Sequence, residues 1–170
     1  MMTARATGLV SIPEELSSAE AAPILCAGIA TFNGLKASGA ELGDTVAVLG
    51  IGGLGHMVVQ YARRMGCRVV AIGRGQDIAK EALRLGAHRY IDTNTENAPE
   101  ALTGIGGAAA ILTTIGDAQT VSALVPGLAA GSSCSASGLI RWPFPSVRWW
   151  QASAAWSVRS PAPRSKTRRR

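Results

Sequence analysis

Thr45-Val46-Ala47-Val48-Leu49-Gly50-Ile51-Gly52-Gly53-Leu54-Gly55 is the stretch on which the reading of this chain turns. Thr45 to Leu49 is short, apolar and partly β-branched, as a strand buried on both faces of a parallel sheet must be. Gly50, Gly52 and Gly55 then form a G-x-G-x-x-G. His56 to Met65 reads as a helix, with Met57, Val58, Tyr61 and Ala62 on one side and Arg63 and Arg64 at its basic end. The glycine pattern is weak by itself. Held between a buried strand and a helix, it has a physical purpose. The first glycine permits the tight turn, the second removes a Cβ from the path of a pyrophosphate, and the third lets helix and strand pack closely. The N–H groups and positive end of the helix then face the phosphates. Gly50, Ile51, Gly52, Gly53, Leu54 and Gly55 are thus the candidate dinucleotide-binding residues.

Outward from this unit the same rhythm repeats. Cys67 to Ile72 is predicted as a second strand, Ala79 to Leu85 as a helix, and Tyr90-Ile91-Asp92 as a short third strand. Ala98 to Leu102 is predicted helical, Ala108 to Thr113 a fourth strand, and Ala118 to Leu128 a further helix. Upstream, Ser17 or Ser18 caps a helix over Ala19 to Leu35, with Glu20 placed to complete a capping box, and Gly39 stops it. Strands alternating with helices in this way predict an α/β fold with a doubly wound parallel sheet.

The residue that follows the second strand bears on the coenzyme. A carboxylate ~20 residues beyond the glycines would hold a ribose 2′-hydroxyl. Gly73-Arg74-Gly75 stands there instead, and Arg74 can pair with a 2′-phosphate. NADP is therefore favoured over NAD, with Gly73 and Arg74 added to the site. Asp77, past the strand, is a weaker candidate for the hydroxyl.

Composition breaks sharply near Gly131. Of the 170 residues 11 are acidic, and none follows Asp117. All 4 tryptophans lie at Trp142 or beyond, among Arg141, Arg148, Arg159 and the basic run from Arg164 to Arg170. The net charge of +6 belongs to this segment. Ser132-Ser133-Cys134-Ser135 and Trp142-Pro143-Phe144-Pro145 show neither helical nor strand period, which predicts a disordered tail. No apolar run is long enough for a membrane span, nothing in Met1 to Thr7 resembles a signal peptide, and 3 scattered cysteines exclude a disulfide framework. A cytoplasmic location is expected.

Taken together, the glycine loop, Ala21-Ala22-Pro23-Ile24-Leu25-Cys26-Ala27-Gly28-Ile29-Ala30-Thr31-Phe32 and Leu83-Arg84-Leu85-Gly86-Ala87 before Ile91-Asp92 resemble the zinc-dependent alcohol dehydrogenases of the medium-chain dehydrogenase/reductase superfamily. The resemblance runs from about Val10 to Ala130. It implies a Rossmann-type coenzyme domain over 19–130, with 1–18 a remnant of an N-terminal GroES-like catalytic domain and 131–170 a tail. It also implies an oxidoreductase using a small alcohol or aldehyde and NADP or NAD. Cys26 maps onto the third ligand of the catalytic zinc, and Thr31, one helical turn beyond, onto a position near the nicotinamide. No Cys or His precedes Cys26 in this sequence, so its partner ligands are missing. A stable zinc site is not expected, and Cys26 reads otherwise as a buried helical cysteine. Cys67 is read as inert core, His88 as surface loop, and His56 as a packing residue or a coenzyme contact.

The family places an apolar strand after Gly127-Leu128-Ala129-Ala130, where this chain turns to serines. Back-translation from the third base of the Gly131 codon, with permitted codons, reads QLLLGVGADPVAVPVGAVVAGKRSVVG. That string has the strand, turn and second strand that the family carries. A one-position frame slip near Gly131 accounts for the basic, Trp-rich, acid-free segment. The chain is accordingly read as a dehydrogenase cut short at both ends and inactive by itself. Its fourth strand would have an open edge, its stability would be marginal, and the family's oligomer is not expected. Two alternatives remain: a dinucleotide-binding protein that never catalysed, and a nucleic-acid-binding surface in the basic tail, the weaker because no element was evident to order it.

Overall fold

The computed structural model describes Thr7 and residues 9–137, 149–152 and 155–159. Five parallel strands form its centre: β1 (Thr45–Leu49), β2 (Arg68–Gly73), β3 (Arg89–Asp92), β4 (Ala108–Thr113) and β5 (Leu128–Ser137). They lie in the order β3-β2-β1-β4-β5. Val46 pairs with Val69 on one side and Ala110 on the other, which puts β1 in the middle of the sheet. β6 (Trp149–Ala152) and β7 (Ala155–Arg159) extend the sheet antiparallel, with β7 against β5.

Period-two alternation along these strands gives the two faces of the sheet. Ala47, Leu49, Val70, Ile72 and Ile111 pack with Ala98, Leu102, Val121 and Leu124, from α5 (Ala98–Thr103) and α6 (Ala118–Leu124). Val46, Val48, Val69 and Ala71 pack with Leu35, Val58, Val59 and Ala62. These come from α2 (Ile29–Ser38) and α3 (Gly53–Arg64), with Ala82 added from α4 (Asp77–Arg84). Helices on both faces of a parallel sheet are the doubly wound α/β fold that the sequence predicts.

At the N-terminal side, Ser17 caps α1 (Ser18–Pro23). Its hydroxyl accepts from the Glu20 amide at 3.3 Å, and the Glu20 carboxylate accepts from the Ser17 amide at 3.0 Å. The single predicted helix is divided. A π-helical turn, Ile24–Gly28, separates α1 from α2, and the Ile29 amide reaches back to Ile24 and Cys26 carbonyls. Gly39, with φ at +72°, ends α2 as expected.

Two expectations are corrected at the C-terminal side. The helix predicted to Leu128 ends at Leu124, followed by a 3-10 turn over Val125–Gly127. Pro126 has no N–H with which to continue the α-helical hydrogen bonding. The strand rhythm, expected to stop at Gly131, runs on to Ser137. There Ser133, Cys134, Ser135 and Ala136 pair with Ala110 to Thr113 of β4. An open β4 edge offers a row of unpaired backbone groups, and backbone pairing does not require an apolar side-chain pattern. The β4 edge is therefore covered, and Trp149, Trp150, Trp156 and Arg159 belong to strands. The rest of the predicted tail (138–148, 153–154 and 160–170) lies outside the described residues. No described helix is long and apolar enough to cross a membrane.

Candidate functional site

The order of the strands reverses between β1 and β4, and the crevice at their C-terminal ends is where such sheets take ligands. Gly50-Ile51-Gly52 leaves β1 there, and Thr114-Ile115-Gly116-Asp117 leaves β4 beside it. Between them is an open cleft of about 460 Å³. Gly50, Ile51, Gly52, Gly73 and Arg74 line it together with Ile115 and Asp117.

The three motif glycines meet three different surroundings. Gly50 turns the chain with φ at +86°, and a Cβ on it would stand 2.6 Å from Ile115 and 2.8 Å from the Thr114 hydroxyl. A Cβ on Gly55 would stand 1.9 Å from the Gly50 carbonyl oxygen. A Cβ on Gly52 would meet nothing within 4 Å. The loop is thus crowded on its protein side and open at Gly52. Gly52 is also the N-cap of α3 and gives no side-chain bond to the helix, while Gly53, Leu54 and Gly55 form the first turn. The first amides of a 12-residue helix therefore open beside the cleft. An anionic diphosphate fits the open place and the donors around it.

Thr114 fixes the loop from the β4 side. Its hydroxyl lies 2.9 Å from the Gly50 carbonyl and 3.2 Å from that of Leu49, and its amide donates to the Leu49 carbonyl at 2.9 Å. Asp117 caps α6 by accepting from the Gln119 and Thr120 amides. The Thr120 hydroxyl, before the amides and the positive charge of Arg74, holds the Asp117 carboxyl below its ordinary range. Sequence motifs missed Thr114, Ile115 and Asp117. Their position just after β4, at the same end of the sheet as the glycines, was the available signal.

The loop after β2 is held by the residues that close β3. Asp92 is 3% exposed and accepts from the amides of Gly75 and Asn94 and from the Gln76 side chain. These bonds, the Asn94 amide foremost, keep its carboxyl ionised below the usual carboxylate range. Asp77 is exposed in the first turn of α4.

The two residues to which the resemblance gives a part in catalysis lie elsewhere. Neither Cys26 nor Thr31 lines the cleft. Cys26 is exposed in the π-helical turn, which corrects the expectation of a buried cysteine. Thr31 is buried and donates its hydroxyl to the Ala27 carbonyl at 2.6 Å. Among the described residues no group of His, Cys, Asp and Glu side chains is gathered to hold a metal ion, so these residues do not fit a zinc. Cys67 is buried, and burial, ahead of the Asp44 charge, pushes its thiol up. His56 lies 3.6 Å from Glu81, both partly exposed, and His88 is an exposed residue whose Nδ1 accepts from the Val69 amide.

The profile of the family described as zinc-binding dehydrogenase matches residues 53–147. This chain belongs to that family. An alcohol dehydrogenase of Aspergillus sp. (notN) is 46% identical over 124 residues, 73% of this chain and 37% of that protein. One from Geobacillus stearothermophilus is 39% identical over 137 residues, 80% of this chain and 41% of that protein. Among solved structures, the alcohol dehydrogenase TADH of Thermus sp. ATN1 superposes with a TM-score of 0.72 at 28% identity. That match covers 79% of this chain and 40% of TADH. The mycobacterial Rv1454c, solved in complex with NADPH, gives 0.72 at 26% identity, over 84% of this chain and 46% of that one. This chain spans about two-fifths of the length of these relatives.

Proposed function

We propose that this chain is the coenzyme-binding part of an oxidoreductase that moves a hydride between an alcohol or aldehyde and a nicotinamide dinucleotide, NADP(H) ahead of NAD(H). One observation carries the reading: at the N-terminus of α3, Gly52 leaves open space while Gly50 and Gly55 are packed against the protein. A diphosphate would occupy that space and accept from the first amides of the helix. The nicotinamide, when bound, supplies the hydride chemistry. This chain's residues bind and orient it. Arg74, exposed at the cleft just after a strand whose end carries Gly73 and no carboxylate, would receive a 2′-phosphate.

The alcohol dehydrogenase relatives and the NADPH complex of a structural neighbour support both halves of this reading. A fluorescence titration with NADPH, competed by NADH, tests it. Saturable NADPH binding that Arg74→Gln weakens at least tenfold, with NADH binding little changed, is the expected result. Equal loss for both coenzymes would remove the 2′-phosphate role.

The described residues gather no zinc ligands around Cys26, which favours a chain that binds coenzyme without turning over an alcohol by itself. A purely regulatory dinucleotide-binding protein would behave in the same way in a binding assay. Alcohol turnover on addition of a Cys- and His-bearing catalytic domain would separate the two. A cytoplasmic location goes with this reading, and binding of nucleic acid by the basic segment does not.

The loss of every acid after Asp117 and the gathering of tryptophan after Gly131 support a one-position frame slip in the gene. Sequencing the DNA around codon 131 tests that proposal. An intact frame in the organism ends it.

A further inference from the structure

Both peptide groups that flank Arg74 are tied to β3 and the turn after it. On one side, the Gly73 carbonyl accepts from the Thr93 amide at 2.9 Å and the Thr93 hydroxyl at 3.1 Å. On the other, the Gly75 amide donates to Asp92 Oδ1 at 2.9 Å, and the Gly75 carbonyl accepts from the Tyr90 hydroxyl at 2.8 Å. Gln76 Nε2 donates to Asp92 Oδ2 at 3.1 Å, and the Asn94 amide to Oδ1 at 3.0 Å. Gly75 itself has φ at +81°, a conformation that glycine adopts readily, and as a glycine it has the most backbone freedom to lose on ordering. Arg74 makes none of these bonds. Its side chain stays exposed at the cleft.

We infer that Asp92, assisted by Tyr90, is the positioning residue that sets which nicotinamide dinucleotide this cleft takes. The inference rests on the coenzyme reading proposed above. Asp92 acts in two ways. It clamps the Gly73–Gln76 loop so that Arg74 is presented to the place of a ribose 2′-phosphate without paying ordering entropy at the moment of binding. It also takes itself out of competition. A carboxylate at the end of the neighbouring strand could accept from a ribose hydroxyl, but both Asp92 oxygens already accept from protein donors. The loop therefore presents the Arg74 cation on a held backbone, while Asp92 is taken up by the loop and Asp117 across the cleft by the start of α6, an arrangement that favours the phosphorylated ribose.

The test is a titration of the full chain and of Asp92→Ala, Asp92→Asn and Tyr90→Phe with NADPH and with NADH, reading the ratio of the two dissociation constants. Wild type should favour NADPH, and Asp92→Ala should lower that ratio at least fivefold. Asp92→Asn, which keeps an acceptor for Gly75 but turns a donor toward Gln76, should lie between. Tyr90→Phe should shift the ratio in the same direction. A merely structural residue would weaken both coenzymes alike and leave the ratio unmoved.

Amide exchange of Gly75 in the coenzyme-free chain gives a second reading, with faster exchange expected in Asp92→Ala. Should Asp92→Ala not fold, the other two variants decide. An unchanged ratio in folded variants of a wild type that favours NADPH overturns this inference and leaves the coenzyme reading intact. A wild type that binds neither coenzyme, or favours NADH, overturns the coenzyme or Arg74 reading itself and this inference with it.

Discussion

Gly55 packs against Gly50 so closely that a Cβ at position 55 would stand 1.9 Å from the Gly50 carbonyl oxygen, far inside any real contact. That one approach sets the distance between α3 and the loop that leaves β1. Gly55→Ala must push the helix away or break the turn, and strain of this kind costs more than about 3 kcal/mol. Loss of a cooperative thermal transition, or a large fall in its midpoint, is the expected outcome. An unchanged midpoint would show that the loop has slack.

Gly52→Ala separates binding from folding. Its Cβ would enter open space, and Gly52 has φ at −89°, which alanine adopts freely. The stability cost should stay below ~1 kcal/mol, as for other weak N-caps. Affinity for NADPH should nonetheless fall at least tenfold, because the methyl group takes the place of a phosphate oxygen. Denaturant midpoints and a coenzyme titration on the same sample check both statements.

Thr114→Val keeps the shape of the side chain and removes the hydroxyl that faces the Gly50 and Leu49 carbonyls. A loss of about 1 kcal/mol is expected in urea unfolding, with a parallel weakening of coenzyme binding as the glycine loop loosens. Stability lost without any change in binding would confine Thr114 to a structural role.

Acid should act through Asp92. The Asn94 backbone amide first, then that of Gly75 and the Gln76 side chain, hold its folded pKa below the ordinary 3.8. A depressed folded pKa contributes stability that is fully present above the unfolded value and is lost as pH falls through the folded one. Asp92 should therefore stabilise the chain at neutral pH and lose that contribution progressively as pH falls below the ordinary 3.8. Unfolding midpoints between pH 3 and 6 check this, wild type against Asp92→Asn. The gap between the two should close toward the acid end.

Much of this architecture was legible because the sheet is buried on both faces. β1 and β4 have the bounds that their apolar runs predict, Thr45–Leu49 and Ala108–Thr113, since little but a buried parallel strand suits such residues. The start of α3 was read three residues late. Glycine is a poor helix former, so Gly53 and Gly55 argued for loop, whereas backbone bonding such as that of His56 to the Gly52 carbonyl decided for helix.

β5 was illegible past Gly131 because its pairing follows from the open edge of β4 and not from any pattern of its own. The glycine half of the site could be read from spacing. Thr114, Asp92 and Tyr90 could not, because each acts on a loop distant in sequence, and only the sheet brings them together.

The shape of the backbone around Gly52, and what it is shaped to receive, is most directly tested by calorimetric titration of the full chain with NADPH, beside Gly52→Val, both shown to be folded by circular dichroism. The account predicts one saturable site in the wild-type chain and its loss in the variant. Equal heats from both proteins, or none from a folded wild type, would contradict it.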